Sequence, residues 1–408
     1  MEIFWIFAIL TFFGLLAYGL QIWSVRSYLS TPCNCGEGQA LPRLFPPVSI
    51  LKPLKGLDDN LYDNLLSFCN QDYPAYEIIF SLQSHNDPAY RIAKRIKDKH
   101  PDRDMSIIVE ECSAGLNPKV NNLLTAYKAS KYEYILVSDS NVMVDGKYLG
   151  EITRHVDNTG SDCEVGLVSN IIKGVGGRSL GAIFENLHLN SFIMGSVCFL
   201  NNFLKLPCVI GKSMLMSKKD LESIGGLKSV KDILAEDYVI GERIHKSGKK
   251  VVLCSYMIRN VNEYWGLKRF LNRHTRWGKL RWKIGGGKYI FELVGNPVFM
   301  SALPIVLWQC SKLTVTFALL TSIIKVFGDF YLGRKAGTEM DNPFLYLLVP
   351  VKDLLIGLIW SVPIISNTVT WRGNRYSIGK DSMLYPCPET GFWSLRYRII
   401  DAIKERFA

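Results

Sequence analysis

The first strong pattern in the chain is an unbroken apolar run, since Ile3 to Trp23 contains no charged residue. At 1.5 Å per residue, a helix of about 20 such residues crosses a bilayer. Met1-Glu2 supplies no positive leader, and Gln21-Ile22-Trp23-Ser24-Val25-Arg26 offers no small-residue cleavage site. The run therefore reads as an uncleaved anchor, and Arg26 on its distal side favours a cytoplasmic position for the domain beyond it. Near the other end, Pro297 to Trp308 and Leu313 to Tyr331 form an apolar hairpin, and Phe344 to Ile365 a third segment interrupted by Lys352-Asp353. That interruption suits a re-entrant or interfacial element as readily as a span, so three to four crossings are expected.

Between these ends, from about Val48 to Ile284, the periodicity changes. Val48 to Leu51, Glu77 to Leu82, Met105 to Val109 and Tyr134 to Val137 are short runs rich in Ile, Val and Tyr, which predicts strands. Leu61, Leu65 and Phe68 repeat at i, i+4 and i+7, the spacing of one helix face. Asn117-Pro118 supplies an N-cap and a proline at the first helical position before Lys119 to Ser130. Alternating strands and helices predict an α/β domain with a largely parallel sheet, whose ligands bind outside the carboxyl ends of the strands.

Composition narrows the class. With 48% hydrophobic residues and a mean hydropathy of +0.10, the chain reads as a membrane protein. The formal charge of +11 would suit nucleic acid, but no helix-turn-helix, zinc-finger or RNA-recognition pattern is present. Phosphates of lipids and nucleotides are the better anionic partners. Lys268 to Lys288 carries eight Lys or Arg and no Asp or Glu, mixed with Phe270, Leu271, Trp277, Leu280 and Trp282. This is the composition of an interfacial helix, with Lys268, Arg269, Lys279, Arg281, Lys283 and Lys288 expected on a solvated face against lipid headgroups. Ten cysteines without regular spacing argue against a disulfide framework and for a reducing, cytosol-facing domain. Cys33 and Cys35 lack a nearby His or second Cys pair and make a weak metal candidate.

Three acidic positions come after predicted strands or open a predicted helix: Asp87 before Pro88, Asp139 in Ser138-Asp139-Ser140-Asn141, and Glu236-Asp237 after Ala235. Each has a plain structural explanation as a cap, a turn residue or a partner for a helix dipole. The order in which they occur carries more. Asp87, Asp139, Asp237 and then Arg273-His274-Thr275-Arg276-Trp277 resemble the D, D, D, (Q/R)xxRW signature of membrane-associated GT-A glycosyltransferases. Within that group the runs Val48 to Gly56, Asn117 to Asn122 and Ala235 to Tyr238 are similar to ceramide glucosyltransferases.

The resemblance implies a GT-A domain, Rossmann-like, over 48–290 with interfacial helices. An anchor over 1–24, a linker over 25–47 and a membrane region with a basic tail over 291–408 would flank it. It also implies a UDP-sugar donor, ceramide or a similar membrane lipid as acceptor, single-sugar transfer with inversion, and a domain facing the cytoplasm, at a bacterial inner membrane or a Golgi or ER membrane. Asp87 would hold the uracil or ribose. Asp139 would bind the donor through a divalent cation, Mn2+ or Mg2+, with Asn141 in support, although Asp139-Ser140-Asn141 has one carboxylate where the family commonly has two. Asp237 would be the general base, with Glu236 beside it favouring proton uptake by like-charge proximity. Arg273 and Arg276 would bind the leaving diphosphate, Trp277 would wall the acceptor site, and Lys119 at a helix N-terminus is a lesser diphosphate candidate. His188 falls among apolar residues at helical spacing and reads as packed. A hopanoid-type lipid acceptor, a processive polysaccharide synthase and a non-catalytic nucleotide-binding protein are the competing classes. Arg273 in place of Gln and the few apolar segments weigh against the synthase, and Glu236-Asp237 against the last.

Overall fold

The computed structural model describes residues 2–30, 45–156, 164–338, 340, 342–371 and 374–387. Cys33, Cys35 and the basic tail beyond 387 lie outside them. In chain order the elements begin with α1 (Glu2–Ser30), β1 (Val48–Pro53), α2 (Leu61–Cys69), β2 (Tyr76–Leu82), α3 (Pro88–Lys99), β3 (Met105–Val109), α4 (Pro118–Ala129), β4 (Tyr134–Val137), β5 (Val142–Met143) and α5 (Tyr148–Thr153). They continue with β6 (Val165–Gly176), α6 (Leu180–His188), α7 (Met194–Leu204), β7 (Met214–Ser217), α8 (Lys218–Ser223), α9 (Glu236–Lys246) and β8 (Lys250–Asn262). A long α10 (Leu267–Gly285) comes next, then α11 (Phe291–Val294), α12 (Pro297–Leu307), α13 (Lys312–Lys335), α14 (Val349–Ile359), α15 (Val362–Ile365), β9 (Thr368–Trp371), β10 (Asn374–Ile378) and β11 (Leu384–Pro386).

Eight strands form one sheet in the order β3-β2-β1-β4-β7-β6-β8-β5. The expected parallel pairing holds for β3, β2, β1 and β4. Beyond β4 the sheet is mixed rather than largely parallel, because β7 runs antiparallel to both β4 and β6. Alternate residues of the central strands enter two different cores: Ile50, Phe80 and Leu136 pack with α2, α3 and α5 on one face, Leu51, Ile79 and Val137 with α4 and α9 on the other. Burial on both faces is why these strands read as continuous apolar runs. The Asn117 side chain caps α4 by accepting from the N–H groups of Lys119 and Val120, and Asp87 caps α3 through the N–H of Ala89.

Among the described residues, four helical stretches are long and apolar enough to cross a membrane: Glu2–Ser30, Leu180–Leu204, Lys312–Lys335 and Pro343–Ile365. Leu180–Leu204 combines α6, a π-helical turn over Leu189–Ile193 and α7, and most of it is buried within the protein. Lys325, Asp329, Lys352 and Asp353, the charges away from the ends of the last two stretches, turn inward. Lys352 pairs with Asp353 at 2.6 Å, Lys325 with Asp329 at 2.5 Å, and the Tyr18 hydroxyl donates to Asp329 at 2.6 Å. Lys352-Asp353 therefore interrupts the sequence pattern without breaking the helix, since the two charges are buried and face partners instead of lipid.

After α15 the chain returns to the α/β domain as a three-stranded antiparallel sheet, β9-β10-β11. Its connection holds the loop before α9: Ser382 accepts from the N–H of Leu234 through its backbone carbonyl (3.0 Å), and the Leu384 N–H donates to the carbonyl of Asp232 (2.7 Å).

Candidate active site

The carboxyl ends of β1 and β4, the start of β7, the start of α9 and the face of α10 surround a cleft of about 940 Å³. That is near the upper end of the range for ligand pockets. Asp139, Asn141, Glu236, Asp237, Lys119, Arg273, Arg276 and Trp277 all line it. Asp87 does not. Its carboxylate accepts from the N–H of Gly56 at 2.9 and 3.1 Å and from that of Ala89 at 2.9 Å, so it ties the loop after β1, where Lys55 lines the cleft, to the start of α3.

Lys119 is the hub of the acidic groups. Its Nζ lies 2.9 Å from Asp139 Oδ1, from Glu236 Oε1 and from the carbonyl oxygen of Gly211. Lys212, which the sequence pattern did not single out, lies 3.2 Å from Asp139 Oδ2 and donates to Asn141 Oδ1 at 2.6 Å. Lys52 Nζ donates to the backbone carbonyl of Asp139 at 2.7 Å. Burial disfavours the charge on Asp139, but Lys119 and Lys212 outweigh it and hold the carboxyl well below the usual carboxylate range. Burial likewise opposes the charge on Lys119, and there Asp139, Glu236 and Asp237 prevail and raise its pKa. For Lys212 burial wins, bringing it down to about 8 despite Asp139. Burial raises the Glu236 carboxyl, with Lys119 opposing and Asp237 adding to the rise.

Asp237 stands in the first turn of α9, where a carboxylate is stabilised by the helix dipole. Its Oδ2 accepts from the N–H of Gly211 at 2.7 Å and its Oδ1 from its neighbour Tyr238. A Cβ on Gly211 would come within 2.7 Å of that same Oδ2, so only glycine lets the β7 approach loop close on Asp237.

Helix α10 forms the opposite wall. The Arg273 guanidinium sits over the rings of Trp277 (4.3 Å) and Trp265 (5.1 Å), and its Nη1 is 3.3 Å from Glu185 Oε1. Glu185 is fully buried and also bonds His274 Nε2 at 2.8 Å. The Arg273 Nε–H is buried and has no acceptor among the described residues, leaving a donor beside the cleft. Arg276 faces Trp371 of β9, which also lines the cleft. His188 is packed as expected, stacked on Phe192 and edge-on to His274.

The expected lipid-facing stripe is corrected by this packing at Lys268, Arg269, Lys279 and Arg281. Lys268 and Arg269 line the cleft, with Arg269 3.5 Å from Asp58. Lys279 is buried and donates to the carbonyl of Thr368 at 2.6 Å, and Arg281 binds both oxygens of Glu292 at 2.9 and 2.8 Å. Arg269, Lys279 and Arg281 are thus spent on the protein's own acids and carbonyls, whereas Lys288, just beyond the helix, is exposed.

Asp139 and Asn141 offer two hard oxygens, which suits Mg2+ or Mn2+ only if a ligand's phosphates complete the shell. Among the described residues no group of three or more His, Cys, Asp or Glu is arranged for a metal. The donor set therefore fits a cation that arrives with a diphosphate.

The family model for glycosyl transferase family 21 matches residues 6–384. A ceramide glucosyltransferase 1 from Caenorhabditis elegans is 28% identical over 356 residues, covering 82% of this chain and 72% of that protein. Ceramide glucosyltransferase 3 from the same organism is 27% identical over 350 residues, covering 84% and 74%. Among solved structures, a mannosyltransferase from Pyrobaculum calidifontis in complex with GDP-Man and Mn2+ aligns with a TM-score of 0.50 at 14% identity, covering 88% of this chain and 98% of that one. That likeness carries the fold.

Proposed function

The chain belongs to glycosyl transferase family 21, and from that premise we propose that it transfers one sugar from a UDP-sugar to the primary hydroxyl of ceramide, giving a glycosylceramide. The observation that carries this reading is the joining of Asp139 and Glu236, neighbour of Asp237, by the single ammonium of Lys119, opposite the arginines of α10 in one cleft.

The acceptor oxygen attacks the anomeric carbon while Asp237 takes its proton, and the bond from that carbon to the UDP oxygen breaks on the far side, inverting the centre. Arg273 and Arg276 offer their charge to the departing diphosphate. Asp139, with Asn141, would hold a divalent cation, Mg2+ or Mn2+, which supplies further neutralisation of the diphosphate when bound. Asp87 would act on the nucleoside side of the donor through the Gly56 loop that it fixes. Ile172, Ile193, Val209 and Ile210 give the cleft an apolar wall close to α7, suited to a lipid acceptor that stays partly in the bilayer. Arg26 after the anchor favours the cytoplasmic side for the catalytic domain.

The test uses the full-length protein in lipid-detergent micelles with ceramide and, in turn, UDP-glucose, UDP-galactose, UDP-glucuronic acid and UDP-N-acetylglucosamine. Mass spectrometry should find ceramide carrying one hexose-type residue with one of these donors. If ceramide remains unmodified with all four while a hopanoid alcohol is glycosylated, the ceramide assignment is wrong.

A further inference from the structure

The oxygens that a divalent cation needs in this cleft are already taken by the protein's own cations. Lys212 Nζ holds Asn141 Oδ1 at 2.6 Å and Asp139 Oδ2 at 3.2 Å, and Lys119 Nζ holds Asp139 Oδ1 at 2.9 Å. Lys212 is not a flexible surface residue resting on an acid. It is only 9% exposed and is positioned by the strand register: β7 pairs antiparallel with β4 with Val137 opposite Met214, so the residue two before Met214 meets the residue two after Val137. The local charge is also unfavourable for a lone dication. Lys119 and Lys212 flank the Asp139 carboxylate, and Arg273 stands on the same cleft. Mg2+ or Mn2+ added without an anion would have to compete with Lys119 and Lys212 for the Asp139 carboxylate, and Glu236 in the same cleft is itself already bonded to Lys119.

We propose that Lys212 is an internal counter-cation that occupies the cation-binding oxygens of the ligand-free protein and is drawn off them by the donor's diphosphate. With diphosphate in the cleft, Nζ gains an anionic acceptor and leaves Asp139 Oδ2 and Asn141 Oδ1. Those oxygens are then free for the divalent cation, whose remaining positions the phosphates fill. Nucleotide and cation binding are therefore coupled, and by linkage each tightens the other by the same factor. This inference rests on the reading of the cleft as a nucleotide-sugar site, and it extends that reading by naming the residue that makes binding ordered.

The experiment measures Mn2+ binding by electron paramagnetic resonance on the full-length protein in detergent, with and without UDP, and UDP binding by calorimetry with and without Mn2+. Wild-type protein should bind Mn2+ about tenfold or more tightly when UDP is present, a coupling within the usual range. Lys212→Gln should bind Mn2+ without UDP about tenfold more tightly than wild type, bind UDP alone more weakly, and lose most of the coupling. Lys212→Arg, which keeps the charge, should keep Mn2+ binding without UDP weak. Equal Mn2+ affinity in wild type and Lys212→Gln would overturn the proposal. If Lys212→Gln fails to fold, wild type alone decides, because Mn2+ and UDP that bind independently also overturn it. Absence of sugar transfer to ceramide with this coupling intact would instead remove the acceptor assignment and leave the exchange standing.

Discussion

Replacing Lys119 with Met tests the central ion cluster, because that one ammonium lies 2.9 Å from Asp139, Glu236 and the Gly211 carbonyl. Asp139 would keep Lys212, so the orphaned group is Glu236, 5% exposed and left without a cation, with Asn117 Nδ2 at 3.2 Å. Removing one partner of a buried pair costs about 3–5 kcal/mol. In the pair that is broken the side chains of Lys119 and Glu236 are 17% and 6% exposed, and the retained bond from Asn117 favours the lower figure, about 3 kcal/mol. For a domain of this size that is a fall of roughly 6–12 °C in melting midpoint, read by intrinsic fluorescence in detergent. Adding Glu236→Gln to Lys119→Met removes the uncompensated charge and should return at least half of the loss. The pH dependence has a fixed sign. Burial already raises the Glu236 pKa above the ordinary value, and loss of Lys119 raises it further, so the penalty is absent below the unfolded-state pKa and grows as pH rises through the folded one. Lys119→Met should therefore be closer to wild type at pH 5 than at pH 8. A double variant no more stable than Lys119→Met, or a penalty equal at both pH values, would refute the assignment of Glu236 as the stranded charge.

Asp237→Asn should abolish sugar transfer and leave UDP affinity within about threefold of wild type by calorimetry, since shape is kept and only the base is lost; retained turnover would remove Asp237 from the mechanism. Asp139→Ala should weaken donor affinity and eliminate the response to Mn2+, whereas wild-type activity unchanged by EDTA would count against a cation at Asp139. Lys279→Met removes the donor to the Thr368 carbonyl and should loosen β9–β11 from α10, seen as faster limited proteolysis near residue 368 and a higher Michaelis constant for the donor. Unchanged cleavage would mean that the sheet is held by its contacts with the loop before α9, at Asp232 and Leu234, without Lys279.

The sequence is readable where its signals are local. The strands ending at Leu82, Val109 and Val137 were visible because both faces of the sheet are buried, which writes burial into consecutive residues. The N-cap at Asn117 was readable because cap and helix are adjacent in the chain. The mixed half of the sheet was not, since nothing in Met214-Leu215-Met216-Ser217 distinguishes a parallel from an antiparallel neighbour. That ambiguity also hid Lys212. A search for chemistry after strand ends finds Asp139 after β4, but on an antiparallel strand the same edge of the sheet is reached before the strand begins, and Lys212 precedes β7.

The basic stretch on α10 is only partly legible, since Arg273, Arg276 and Trp277 line the cleft as the motif implies while Lys268, Arg269, Lys279 and Arg281 do not form the lipid-facing stripe that composition suggests. A lipid headgroup layer and a nucleotide diphosphate select the same residues, cations interleaved with aromatic rings, so composition cannot separate a membrane face from a cleft wall. Packing separates them. Arg273 is held from behind by Glu185, 88 positions earlier, and Lys279 by Thr368, 89 positions later. A charge that rests on a lipid surface needs no such fixed partner, whereas a charge that must meet a diphosphate at one place in a cleft gains from being held. The buried acid behind Arg273 is therefore the feature that marks this part of α10 as binding machinery, and it lies in Leu180–Leu204, a stretch long and apolar enough to cross a membrane that is mostly buried within the protein.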